Sequence, residues 1–495
     1  MSILKNNRPQ KPFRFNGVSD INGEITTKNI KNLIGESSDV KFLTVKTGKD
    51  RSLTVTFVFI DGMINTPVID ENILEPLQSN MNIRQVTSQK ELLDGILCGM
   101  IPHNALKKCE SLQECVEGIL FGFGVIVFDE EKSAVMFDVK GFEKRAVPET
   151  ANENVVKGGR DAFIEIIRTN TALVRTRLQS DKLRIIENSR GDESKTQVAV
   201  VYLDGVADPA IVNAVLDKVK NFHGENMITS TLVEDHIAEK KMSIFPRVLY
   251  TERPDKFAAN ISRGKVGLII NGLPTAYILP ATFDMFMQAA EDYSYNVIVA
   301  QAIRVIRYIA LFIALVLPSY YIAITAFNPE MLPRELAISI IKSKEGVPFS
   351  STVEALFLLF IFELLIEASM RMPKAIGTTL SILGAIVIGD AAVNAKFISA
   401  AVIVVIAMSG IAGFAIPNQD FSNAIRISRV LLLIATSLFG FFGLFFALML
   451  LLHSLAKSES FGMSYLVKGS ESRINPEETR KLINILIPLK RRVKD

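Results

Sequence analysis

Cysteine is scarce in this chain: Cys98, Cys109 and Cys115 are the only three among 495 residues. An odd number gathered within 18 residues builds no disulfide framework and fits a reducing compartment. His103 lies among them, but the spacing matches no zinc finger or ribbon, and cysteine serves equally as a small buried hydrophobe. No metal site is expected. Charge of one sign is missing too. Fifty-five Lys and Arg against 52 Asp and Glu leave +3, with no global nucleic-acid signature. The opening "MSILKNNRPQKPFRFNGVSD" has no apolar core of a secretion signal, so the N-terminal region is expected on the cytoplasmic side. Catalytic motifs are absent as well: there is no nucleophile elbow, phosphate loop, metal-ligand spacing or paired catalytic carboxylate in the soluble part. The "GFG" at 122–124 precedes a hairpin rather than a helix. Neither an enzyme nor a cofactor is expected. A small-molecule site in a cleft between lobes stays open, though no residue set identifies it.

Hydrophobic residues make up 49% of the chain, unevenly spread. Charges recur every few residues up to about Val297; from Tyr308 to Leu452 the sequence reads as membrane. Residues 1–35 have no periodic pattern and are expected to form a flexible arm. Strand and helix signals then alternate. "SLTVTFVFIDG" (52–62) is a strand ending in Asp-Gly, a helix follows "TP" at 66–67, and "FGFGVIVFDEEKSAVMFDVKG" (121–141) is a hairpin. The order recurs in "QVAVVYLDGVADPAIVNAVLDKV" (197–219) and "GKVGLIINGLPTAYILP" (264–280). Asp61 to Asp204 and Gly124 to Gly267 are both 143 residues apart. Two similar α/β lobes are expected, 36–150 and 151–296. They are linked by a helix in which Phe163, Ile166, Ile167, Leu173, Val174 and Leu178 share one face. Its other face carries Arg168, Arg175 and Arg177, either a solvated basic face or a subunit interface.

The membrane domain is expected over 297–456, with four to five transmembrane or re-entrant helices. Residues 308–329, 397–419 and 430–452 are uncharged runs long enough to span. Residues 375–389 run on through Asp390 to Asn394, and 352–372 is apolar but holds Glu354, Glu363, Glu367 and Arg371. The tail 457–495 is basic and, like the N-terminal region, expected in the cytoplasm. Both ends on one side require an even number of crossings, so five segments conflict with that rule. Either one segment is re-entrant or interfacial, or an additional short segment crosses.

Glu363, Glu367 and Arg371 fall at i, i+4 and i+8 on one helical face. That stripe can lie flat on a membrane, form a buried salt bridge, or line a pore; in a homo-oligomer it becomes a ring of carboxylates that favours cations. Glu363 and Glu367 are therefore pore-lining candidates. Asp390 sits mid-membrane at a cost of at least ~2.5 kcal/mol. Gly384, Gly389, Ala391, Ala392 and Ala395 around it allow close helix packing, where a polar group finds a partner.

"YTERPDKFAANISRGKVGLIINGLPTAYILPATF" (250–283), "RVIRYIALFIALVLPSYYIAITAFNPEMLPRELAISIIKSKEGVPFS" (304–350) and "SILGAIVIGDAAVNAKFIS" (381–399) resemble the GerA family of spore germination proteins. "TERPDK", "PEMLP" and "EGVPF" are its most specific segments. The resemblance covers roughly 155–466, with the first lobe matching more loosely. It implies the A subunit of a germinant receptor in the spore inner membrane. The expected partners are a transporter-like B subunit that binds the nutrient, a C-subunit lipoprotein, further copies of the chain, and membrane lipid. The implied activity is a channel that releases ions. A sporulation-stage branch, the stage V AF type, shares these motifs. Two departures stand out: the family often has Gln where this chain has Asp390, and "DYYER" where this chain has "DYSYN" (292–296). The first points to polarity rather than charge at 390; the second weakens a role for a basic residue at that junction. The resulting expectation is an α/β cytoplasmic region of two similar lobes followed by an α-helical polytopic membrane domain. It acts as a channel-forming subunit or, alternatively, as a scaffold that recruits germination proteins without conducting. A secondary transporter is disfavoured, because the membrane segments show no repeat.

Overall fold

The computed structural model describes residues 21–467 except 104, 142–149, 151–152, 154, 156, 192–194, 223–233, 235, 238–242 and 372–388. β-branched and aromatic runs separated by turn residues build two five-stranded sheets. The first contains β1 (Val40–Thr47), β2 (Leu53–Ile60), β3 (Leu106–Lys108), β4 (Gly124–Phe128) and β5 (Ser133–Phe137), in the order β1-β2-β4-β5-β3. The second contains β6 (Leu183–Arg190), β7 (Thr196–Leu203), β8 (Leu249–Thr251), β9 (Val266–Ile270) and β10 (Ala276–Leu279), in the order β6-β7-β9-β10-β8. Every pairing is antiparallel. Val40 and Leu183, Leu53 and Thr196, and Leu106 and Leu249 open equivalent strands 143 residues apart, the offset already visible in the turn residues.

Lobe 1 buries both faces of its sheet under its own helices. Ile126, Phe128, Val135 and Phe137 pack beneath the helical turns of 66–97. Val58, Val125 and Val127 pack beneath α1 (Thr27–Ile34) and α2 (Leu112–Leu120). The helix α1 corrects the expected arm: the Thr26 hydroxyl caps it by accepting from Asn29 N, and Ile30 and Ile34, one turn apart, are buried on the sheet. Residues 1–20 lie outside the described residues. Lobe 2 carries α3 (Ile167–Arg177), α4 (Pro209–Lys220) and α5 (Pro254–Ile261). The linking helix begins at Ile167 rather than near Phe163, which packs edge-on against Phe257 at 5.6 Å. One face of the second sheet closes under α4. The other face joins α3, α5, Phe286, Phe421 and Tyr465 in one core that continues into the helices beyond.

Those helices are α6 (Val297–Ile322), whose path continues to Phe327, α7 (Ser351–Arg371), α8 (Ala400–Phe414) and α9 (Gln419–Ala456). Among the described residues, two helical segments, Val297–Phe327 and Gln419–Ala456, are long and apolar enough to cross a membrane. The second is not straight. Phe421 near its start stacks on Phe286 at 5.8 Å, and Tyr465 beyond its end lies 5.9 Å from the same ring. A straight helix of 38 residues would separate its ends by ~57 Å. The chain folds back at Gly440, whose φ of 59° and ψ of −139° fall in a region kept almost entirely by glycine. A Cβ there would meet the Phe327 ring at 2.9 Å. The expected single span over 430–452 is therefore a helical hairpin, because hydropathy alone does not mark a glycine break. The fold-back returns the end of α9 to the lobe 2 side, where α6 begins. Residues 375–388 of the remaining candidate segment lie outside the described residues.

Candidate functional site: charges inside the helical layer

An apolar layer keeps a charge only where partners compensate for lost hydration. Glu363, midway along α7, meets two arginines of α9. It pairs with the Arg426 guanidinium, and its Oε1 also accepts from Arg429 Nη2 at 3.2 Å. Arg429 is almost fully buried. It donates onward to Ser409 Oγ on α8 at 3.1 Å, and Ser409 Oγ donates to the Ala314 carbonyl on α6 at 2.8 Å. One polar chain thus ties four helices together. One carboxylate among two guanidiniums leaves the cluster net positive, so Glu363 sits in an ion pair, one of the alternatives its stripe allowed. Glu367, one turn further, is exposed.

Glu354, in the first turn of α7, is 1% exposed. Its Oε2 accepts from Ser399 N at the start of α8 at 2.7 Å, and Lys344 Nζ lies 3.6 Å from Oε1. A carboxylate at a helix N-terminus is stabilised by the helix dipole. Asp390 is exposed, and a Cβ at Gly389 would meet nothing within 4 Å. The close packing expected around Asp390 is not found among the described residues of this chain.

The α3 arginines lie at the boundary of the lobes. Arg175, 1% exposed, forms a two-pronged pair with the equally buried Asp39 at 3.0 and 3.1 Å and also donates to the Leu183 carbonyl. Arg168 bridges Asp61 and Glu187, while Arg177 pairs with Asp161 within its own lobe. The expected solvated or subunit-facing arrangement is thereby corrected for Arg175: its guanidinium is taken up inside the chain, between lobe 1 and lobe 2. At the lobe 2 exit, Asp292 pairs with Arg307 at 2.5 Å, so a basic partner does occupy that junction, supplied from α6. Tyr308 Oη donates to Asp284 at 3.1 Å beside it.

Sequence reading missed Arg426, Arg429 and Ser409. The signal was present: Arg426 and Arg429 are one turn apart just before an apolar run, the same face that meets Glu363.

The sequence matches the family described as Bacillus/Clostridium GerA spore germination protein over residues 28–491. Spore germination protein B1 of Bacillus subtilis (strain 168) is 31% identical over 449 residues, covering 91% of each chain. Spore germination protein KA of the same organism is 31% identical, covering 89% of this chain and 80% of its own. The membrane protein YfkQ, also from that organism, is 34% identical over 89% of this chain and 84% of its own. Among solved structures, the N-terminal domain of the A subunit of the Bacillus megaterium spore germinant receptor GerK3 aligns with 52% of this chain and 93% of its own, at 25% identity and a TM-score of 0.40. With a family match across most of its length and relatives above 30% identity over nearly all of it, this chain belongs to the GerA family of spore germination proteins.

Proposed function

We propose that the chain is the A-type subunit of a spore germinant receptor, and that its helical layer lies in the spore inner membrane and conducts ions when partner subunits sense a nutrient. Copies of the chain assemble around a path lined by α7. A transporter-like B subunit binds the nutrient and a C-type lipoprotein completes the receptor. The observation that carries this reading is the charged stripe of α7 inside an apolar layer. Glu363 is held by Arg426 and Arg429 and so fixes α7 against α9, and Glu367 one turn away is exposed; in this reading Glu367 faces the path. Repeated around a ring, Glu367 favours cations by electrostatics. Asp390 packs against the neighbouring copy. The N-terminal lobes and the tail stay on the cytoplasmic side, in keeping with the return of both ends of the layer to lobe 2.

The test is replacement of Glu367 by Gln, alone and with Glu363→Gln, in spores that assemble the receptor normally. Glu367→Gln is expected to reduce nutrient-triggered cation release while receptor abundance holds. Unchanged release from both variants would remove the acidic path and leave a scaffold.

A further inference from the structure

Where lobe 2 meets α6 there is a cavity of about 490 Å³. Its wall on the helix side is one stripe of α6, Val297, Ala300, Gln301 and Arg304, spaced to share a face. Its wall on the lobe side includes Lys265 and Arg263, so three cations converge on one space. Lys265 is the unusual member. It is 4% exposed, and among the described residues its ammonium has only the Met463 sulfur, at 3.9 Å, for a partner. Burial without a carboxylate lowers its pKa to about 8. The Nε of Arg304 is likewise buried without a hydrogen bond. The carboxylates of the wall do not pair with Lys265. Asp292 is paired with Arg307, and Asp284 accepts from Tyr308 Oη and from Gln288 Nε2. The Oδ1 of Asp292 alone remains without a partner.

A buried ammonium without a carboxylate partner, with Arg304 beside it on the same open space, calls for an anion. Beside this space α6 turns Ile298, Val305, Ile306 and Ile309 outward, all exposed on the chain surface. A ligand with a charged head and an apolar body satisfies both features. We propose that this cavity binds the phosphodiester of an anionic lipid headgroup: Lys265 and Arg304 hold the phosphate, and Asp292 Oδ1 accepts a hydrogen bond from a headgroup hydroxyl. Arg and Lys suit this role through charge-assisted bonds to phosphate oxygens. The proposal rests on the membrane placement of α6 and not on conduction. A lipid bound here joins lobe 2 to the membrane at the start of the helical layer.

The test uses the purified full chain. Flotation with vesicles first checks the placement of α6; failure to float with vesicles of any composition would overturn that placement, and with it this proposal. Thermal unfolding in detergent is then followed with short-chain phosphatidylglycerol, short-chain phosphatidylcholine or inorganic phosphate at equal phosphate concentration. Phosphatidylglycerol is expected to raise Tm by several degrees, and the other two to do much less. Lys265→Met is expected to keep or raise the lipid-free Tm at neutral pH, since it removes a desolvated charge at similar volume, and to lose the phosphatidylglycerol shift. Arg304→Gln is expected to lose most of it. The same shift with phosphatidylcholine, or its survival in both variants, would overturn the site. An equal shift with inorganic phosphate would overturn the assignment to a lipid.

Discussion

Lobe 1 and lobe 2 share a strand order and a spacing, yet they bury their sheets differently. Lobe 1 covers both faces with its own helices, and its two cores stay within it apart from Ala172 of α3. Lobe 2 covers one face and gives the other to a core that runs through Phe286 and Phe421 into α6 and α9. The same architecture thus serves as a closed unit in one copy and as a base for the helical layer in the other. Packed side chains and rigid elements can carry coupling between distant sites. Lobe 2 has a packed path to the helices; lobe 1 reaches them through lobe 2, by way of the buried Arg175–Asp39 pair and its neighbours.

Several substitutions can break this contrast. The largest effect is expected from Phe286→Ala, at about 3–5 kcal/mol for an aromatic truncation in a core. Hydrogen exchange should then show lost protection in both lobe 2 and the helices, whereas the matching cut in lobe 1, Phe57→Ala, should loosen lobe 1 alone. Loss confined to lobe 2 in the first variant would deny the shared core. Arg175→Leu leaves Asp39 buried and unpaired, which costs about 3–5 kcal/mol. Calorimetry should show the lobe transitions separating, while the helical layer keeps its own. Gly440→Ala forces a side chain into glycine-only backbone against Phe327, at about 1–3 kcal/mol. Its effect should appear as increased exchange in the two arms of α9 and not in lobe 1. Arg177→Ala removes a partly exposed pair with Asp161 and should cost under about 1 kcal/mol, measurable as a small shift in denaturant midpoint.

The lobes were legible in the sequence because their signals are local. β2 and β7 each precede an Asp-Gly turn and a proline-bearing helix, and the 143-residue offset appears in those turns. The apolar layer was legible as uncharged runs. The hairpin in α9 was not, because apolar residues continue on both sides of Gly440 and a glycine within a membrane run is common. The partners of Glu363 were not either, since they lie 63 and 66 residues away. Asp39 is 136 residues from Arg175. Amphipathic spacing placed Arg175 on the face away from the core; the neighbouring lobe buried it.

Reconstitution of the purified chain with its B and C partners in liposomes loaded with potassium tests the central claim most directly. Nutrient-triggered cation efflux that falls with Glu367→Gln is the predicted result. Correctly assembled receptor that gives no flux under any condition would contradict it and leave the chain a scaffold.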